Sequence, residues 1–307
     1  MRVRITLIAT LLVHALGLIG TAHAAPEVVL ATDAFEWGPA ATDTYLSWTQ
    51  GSGSNTVYAK PFGGSRMRIS EAGASGFNGS IEGTTVTFQQ AWFDRNRSDI
   101  YRFDVVSQTR TRVGAPVSTR AWEYDPSASG DVLAFARLLR SGERRLILHF
   151  DSSDTTRTIA VTTGQNRGLW VGQVSGNWVV YEKTTYARGG WPTACDVFLY
   201  DIGTRATTKI ANPNGRCQYS PAVDDTGTVF YARSGFGCGL NAELRALPLH
   251  GSPTTLVDFP DRVDLAFSTF ALEVDASTTD LYFDRGRCAT ARREGTSDIH
   301  KVTWSSP

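Results

Sequence analysis

The chain has 307 residues, of which 41% are hydrophobic and 20% charged. That composition excludes a disordered protein, which would carry less apolar and more charged material. Basic and acidic side chains balance at 30 each; loss of the first 24 residues would remove Arg2 and Arg4 and leave a slight acidic excess, which offers no support for general nucleic-acid or membrane-surface binding.

From the N-terminus, the first segment reads as an address. Arg2 and Arg4 precede an apolar run from Ile5 to Ile19, and Ala22-His23-Ala24 supplies the small residues of a signal-peptidase site. The run is about 15 residues, short of the ~20 that cross a bilayer. Residues 1–24 are therefore expected to be a cleaved signal peptide. Residues 25–307 are expected to form one domain, secreted or periplasmic, with no membrane span.

One strand, Glu27-Val28-Val29-Leu30-Ala31-Thr32, comes next and belongs to no unit of its own. After it the chain repeats. Aromatic residues Trp37, Phe77, Trp122, Trp170, Tyr219 and Phe267 open successive units at intervals of 40 to 49 residues, close to the length of a propeller blade. An apolar second strand follows each opener and ends in another aromatic: Trp48, Phe88, Phe135, Tyr181, Tyr231 and Phe283. Third strands repeat more closely, as in Ile100-Tyr101-Arg102-Phe103-Asp104, Ile147-Leu148-His149-Phe150-Asp151 and Val197-Phe198-Leu199-Tyr200-Asp201. Turn residues separate the strands. The last unit stops one strand short, and the spare strand at Glu27 would complete it and cover its edge. The expectation is an all-β, six-bladed β-propeller with four-stranded blades, closed by the mature N-terminal strand completing the last blade.

The unit Tyr219-Ser220-Pro221-Ala222-Val223-Asp224-Asp225-Thr226-Gly227, with the Ile/Val-Tyr/Phe-x-Phe/Tyr-Asp third strands, resembles the WD40-like repeat of TolB-type propellers. The resemblance spans the mature chain. It implies a propeller with a binding or scaffolding role, without the N-terminal α/β domain of TolB itself.

All four cysteines lie in the mature chain, and no C-x-x-C pair suggests zinc. In an exported protein they are expected as two disulfides. Blade phasing places them on one face and pairs neighbours, Cys195 with Cys217 and Cys238 with Cys288.

Catalytic motifs are scarce. Gly172-Gln173-Val174-Ser175-Gly176 lacks the spacing of a nucleophile elbow. His149, His250 and His300 fall in separate units, where neither a triad nor a three-histidine metal site would converge. No cofactor is expected; a structural calcium in the channel is the one metal left open by the acidic turns, which lack an EF-hand pattern.

The loops differ between the two faces. Those joining second to third strands share a face with the unit-to-unit connections and are long and basic, and long loops on a rigid scaffold are where binding resides. Arg95, Arg97, Arg188 and Trp191 are the candidate ligand-binding residues, because arginine beside an aromatic suits carboxylates, phosphates and interfaces. The functional expectation is an exported, non-catalytic, monomeric propeller that recognises a protein or extracellular polymer on this face. The alternative is a lyase or hydrolase acting on sugars or lactones in the central channel, with Glu123, Asp125 and Asn78 as its polar residues.

Overall fold

The computed structural model describes residues 26–32, 34–51, 54–188, 190, 192–212, 217–234, 242–259, 269–275, 278–286 and 297–305. The signal-peptide expectation, Phe267, Trp191, Cys238 and Cys288 lie outside them. The chain opens with β1 (Glu27–Leu30), then β2 (Glu36–Ala41), β3 (Tyr45–Gln50), β4 (Thr56–Pro61) and β5 (Met67–Arg68). Next come β6 (Ser75–Glu82), β7 (Thr85–Trp92), β8 (Arg97–Asp104) and β9 (Thr109–Arg112). The middle of the chain holds β10 (Trp122–Ser129), β11 (Val132–Leu138), β12 (Arg144–Phe150) and β13 (Thr155–Thr162). Then follow β14 (Arg167–Ser175), β15 (Trp178–Tyr186), β16 (Pro192–Asp201) and β17 (Thr207–Lys209). The last strands are β18 (Cys217–Val223), β19 (Val229–Ser234), β20 (Ala242–Leu247), β21 (Thr254–Phe259), β22 (Thr269–Asp275), β23 (Thr278–Gly286) and β24 (Ser297–Ser305).

These strands form an all-β propeller, but not the six separate blades that the repeat predicts. Four sheets of four strands stand as separate blades: β2 to β5, β14 to β17, β18 to β21, and β22 to β24 with β1. The other eight strands, β6 to β13, form one eight-stranded sheet. A parallel bridge between Ser98 of β8 and Trp122 of β10 joins its halves, and the Ser98 hydroxyl donates to the Glu123 carbonyl at 2.6 Å. Hydrogen bonding across this seam is what the sequence pattern does not show.

Each sheet is buried on both faces by its neighbours, so its middle strands are apolar runs rather than alternating ones. In β15, Val179 and Tyr181 pack with Val132, Ala134, Leu146 and Leu148 of the preceding sheet. Val180 points the other way, toward Val197, Val223 and Val229. Successive side chains of a strand leave it on opposite faces, so one strand serves two cores.

The innermost strands share a second device. Their ladders slip between Trp37 and Ala40, Asn78 and Ser80, Tyr124 and Ser127, Val171 and Gln173, and Tyr219 and Ala222. The bulged triplets read Trp37-Gly38-Pro39, Phe77-Asn78-Gly79, Tyr124-Asp125-Pro126, Trp170-Val171-Gly172 and Tyr219-Ser220-Pro221. Tyr124, and not Trp122, is therefore the opener equivalent to the others. Gly38, Asp125 and Ser220 take positive φ of 59°, 47° and 49°. N–H groups along the bulged strands are accepted by side chains of the four-stranded unit before them. Asn78 N donates to Thr49 Oγ1 at 2.8 Å, Ala128 N to Ser80 Oγ at 2.8 Å, and Val174 N to Ser127 Oγ at 2.9 Å.

Two connections tie the ring further. β1 pairs antiparallel with β24, Glu27 opposite Lys301 and Val28 opposite His300, so the strand surplus at one end of the chain completes the sheet left short at the other. Cys195 and Cys217 form a disulfide with their Cα atoms 4.6 Å apart, linking β16 to the first strand of the next blade.

A β-carbon at Gly172 would lie 2.2 Å from the Pro221 carbonyl oxygen, and one at Gly79 would lie 2.1 Å from that of Pro126. Both obstacles are backbone, so neither can swing aside. Gly172→Ala is expected to cost about 1–3 kcal/mol or more and to lower the melting temperature. Gly114→Ala, where nothing lies within 4 Å of the new carbon, should leave it unchanged. Equal melting temperatures for the two variants would show that the inner strands are not in contact.

Candidate functional site at the channel mouth

The inner strands converge on a cavity of about 640 Å³. The bulged residues Gly38, Asn78, Asp125, Val171 and Ser220 all line it, because a bulge re-aims its extra residue out of the sheet. The openers Trp37, Phe77, Tyr124 and Trp170 form its walls with Phe93 and Trp122. Ring pairs run along one side: Trp37 to Phe77 at 5.8 Å, Phe77 to Phe93 at 6.5 Å, and Phe93 to Trp122 at 5.5 Å between centroids. Tyr124 and Trp170 pair edge-on across from them at 5.7 Å.

Two carboxyls occupy this apolar setting. Glu182 lies on β15 directly opposite Trp170. It accepts from the Ser220 backbone N–H at 3.3 Å and from the Thr184 hydroxyl. Burial pushes its carboxyl up to about 7, against the pull of those two donors. Asp125 is half-buried and lines the cavity. Its carboxyl is likewise pushed up to about 7, by burial first and by the charge of Glu182 second. Arg144, Tyr186 and Gln89 also line it, the Gln89 amide donating to the Ser98 hydroxyl at 2.9 Å. Burial also raises the Tyr124 and Tyr186 hydroxyls above the usual phenol range.

Next to the channel mouth lies a basic cleft of about 850 Å³, sharing Phe93, Trp122 and Leu138 with it. Arg95, Arg97, Arg112, Arg120 and Arg140 line it. Arg95 comes from the 3₁₀ turn Phe93–Arg95, Arg97 from the start of β8, Arg112 from the end of β9, and Arg120 and Arg140 from the loops before β10 and β12. Arg97 and Arg112 grip the two oxygens of the fully buried Asp99 at 2.6 and 2.7 Å. Arg95 sits 3.7 Å from Asp94, both exposed. Arg120 and Arg140 are exposed and make no ion pair among the described residues.

The sequence-predicted residues divide accordingly. Arg95 and Arg97 meet in the cleft, while Arg188 is exposed on the loop after β15 and lines neither cavity. Asp125 and Asn78 face the channel, whereas Glu123 does not line it. Glu123 is fully buried against Arg137 at 2.9 Å and Thr119 at 2.6 Å. Alternation along β10 sends Glu123 and Asp125 to different surroundings once the bulge intervenes. Glu182 is absent from the sequence-based set because it belongs to a second strand; its signal is a lone acid ending the apolar run Trp178-Val179-Val180-Tyr181. Among the described residues no three His, Cys, Asp or Glu side chains gather as a metal would require. Nor is any described helix long and apolar enough to cross a membrane.

No family model matches this chain, and no curated protein matches it by sequence. Its similarity to solved structures is in fold. A TolB-type protein from Agrobacterium tumefaciens shares 14% identity over 76% of this chain and 85% of its own, with a TM-score of 0.56. An acylaminoacyl peptidase from Pyrococcus horikoshii shares 12% over 89% of this chain but only 46% of its own, at 0.52. An oligogalacturonate lyase solved in complex with manganese shares 11% over 85% of this chain and 86% of its own, at 0.50. The fold is thus a TolB-like β-propeller, a scaffold that by itself does not fix a function.

A carboxyl whose folded-state value is raised stabilises the fold in its protonated form. For Asp125 and Glu182, at about 7, that contribution is complete below about pH 4 and lost as pH rises through about 7. Glu36, also pushed to about 7 by burial, acts in the same direction. The melting temperature should therefore fall between pH 5 and pH 8, and Asp125→Asn with Glu182→Gln should flatten that fall. An unchanged slope in the double variant would show that these carboxyls are not desolvated.

Proposed function

We propose that this protein is an exported, non-catalytic binding propeller, with residues 1–24 as the export signal and 25–307 as the binding domain. It recognises an acidic segment of a partner protein on its long-loop face. The observation that carries this reading is the arginine cleft beside exposed aromatic rings. Arg120 and Arg140 are unneutralised among the described residues, Phe93 is 62% exposed, and arginine forks with aromatic faces are the combination found at recognition hot spots. Arg97 has a second duty, since it neutralises Asp99, so Arg120 and Arg140 replace it as the residues to test.

A fluorescent peptide rich in Asp and Glu is expected to bind the mature protein and to weaken as salt rises. Arg120→Ala with Arg140→Ala should reduce affinity by about tenfold or more without altering the melting temperature. Changes in the short turns of the opposite face form the control: Ser153→Ala, with Gln108→Gly and Arg205→Gly because both residues have positive φ. Binding that survives the arginine changes and fails in the control set would put the functional face on the wrong side.

One observation favours a second reading. Two neighbouring carboxyls poised near neutrality could act as acid and base on a sugar or lactone held in the channel. Turnover of an oligosaccharide or lactone that is lost in Asp125→Asn would replace binding by catalysis; absence of turnover across such a panel favours binding.

A further inference from the structure

We infer that the channel mouth is a binding site for an organic cation, an ammonium or guanidinium group seated among the aromatic rings and held by Asp125 and Glu182. This site is distinct from the arginine cleft and stands whether or not the cleft binds an acidic segment.

Three observations converge on that ligand. The polar groups turned into the cavity are mostly acceptors in want of donors. Asp125 makes no side-chain hydrogen bond among the described residues, and Glu182 has only one hydroxyl and one backbone N–H. Asn78 spends its amide N–H on the Gly38 carbonyl at 2.8 Å, which leaves its Oδ1 buried with no donor. The missing partner is therefore rich in N–H groups or positive charge.

Charge is the second observation. Buried carboxylates are normally paired with a cation, yet the charged and titratable groups facing this pair are Arg144 of β12, Tyr124 beside Asp125, and Tyr186 of β15. Arg144 turns its guanidinium to the carbonyls of Gly142 and Gly164, at 3.5 and 3.3 Å. It also lies beside the two tyrosines, whose hydroxyl pKa its charge lowers, and makes no ion pair with either carboxyl among the described residues. Strands β6, β14 and β18 present only Asn78, Trp170, Ser220 and apolar neighbours to the cavity.

Third, the walls are aromatic. Trp37, Phe77, Phe93, Trp122, Tyr124 and Trp170 line the cavity, and aromatic rings attract cations. Calcium takes six to eight oxygen ligands and would gain nothing from the aromatic walls. A neutral sugar could stack on the rings but would leave both carboxylates unneutralised.

The test is a titration of the intact mature protein followed by the fluorescence of Trp37, Trp122 and Trp170. The probes are choline, N-acetyl-lysine methylamide, their uncharged counterparts 3,3-dimethylbutanol and N-acetyl-norleucine methylamide, methyl glucoside, and calcium chloride. Both cations are expected to bind at least tenfold more tightly than their neutral counterparts. Affinity should rise about tenfold from pH 6 to pH 8 as the carboxyls ionise, with proton release seen by calorimetry in buffers of different ionisation enthalpy. Asp125→Asn should reduce cation affinity at least tenfold, and asparagine tolerates the positive φ of this position. Phe93→Ala, in an exposed turn, should weaken cation binding in a chain that folds normally. Arg120→Ala with Arg140→Ala should leave it unchanged, which separates this site from the cleft. Similar affinities for the two cations would assign the site to a small free cation; tighter binding of the capped lysine would assign it to a partner's side chain. Equal binding of charged and neutral probes, preference for the glucoside, or calcium binding that excludes choline would overturn the inference.

Discussion

The structure depends on the crowding of inner strands around the propeller axis. Gly79 and Gly172 meet the backbone carbonyls of Pro126 and Pro221 at distances that exclude any side chain. Proline on one strand and glycine on its neighbour solve the same problem together. Proline has no N–H to leave unsatisfied at the bulge, and glycine has no β-carbon to collide with it. The freed N–H groups that remain are taken by Thr49 and Ser127 of the preceding sheets, and within the eight-stranded sheet by Ser80 of its other half. Sheets that share no backbone ladder are thus locked in rotation at the point where they converge.

The same bulges create the site. A regular strand would keep its side chains between the sheets, whereas the bulged residue of each triplet turns toward the axis. Asp125 enters an aromatic-lined space in this way, and Glu182 reaches it from the strand behind. Their altered acidity follows from position, since burial leads the causes for both. Glu123, two residues earlier in the chain, lies against Arg137 and Thr119 instead. One bulge separates a structural acid from a cavity acid.

The arginines divide by the same logic of partnership. Arg97 and Arg112 neutralise the buried Asp99, and removing both would strand a buried charge. Arg120 and Arg140, on loops of the same face, carry no such burden among the described residues. Sequence reading ranks Arg97 with Arg95 because both sit beside aromatic residues, and nothing local distinguishes a cation already neutralised from a free one. Trp122 misleads in a related way. It is the more conspicuous aromatic, but only Tyr124 is followed by the bulge residue and proline that the equivalent positions share.

By itself the sequence determined what short-range physics can encode. Turn residues and aromatic openers set the strand repeat, the long loops mark one face, and the spare strand at Glu27 has a partner in the short last unit. The neighbouring cysteines Cys195 and Cys217 also follow from that phasing. Tertiary structure decided where those strands meet: the bridge from Ser98 to Trp122 that makes one sheet of eight strands, the contact of Gly172 with Pro221, and the convergence of Asp125 with Glu182. The reason is that propensity and alternation act over a few residues. Which acid shares a cavity, and which loses its water, is set by the closure of the ring around its axis.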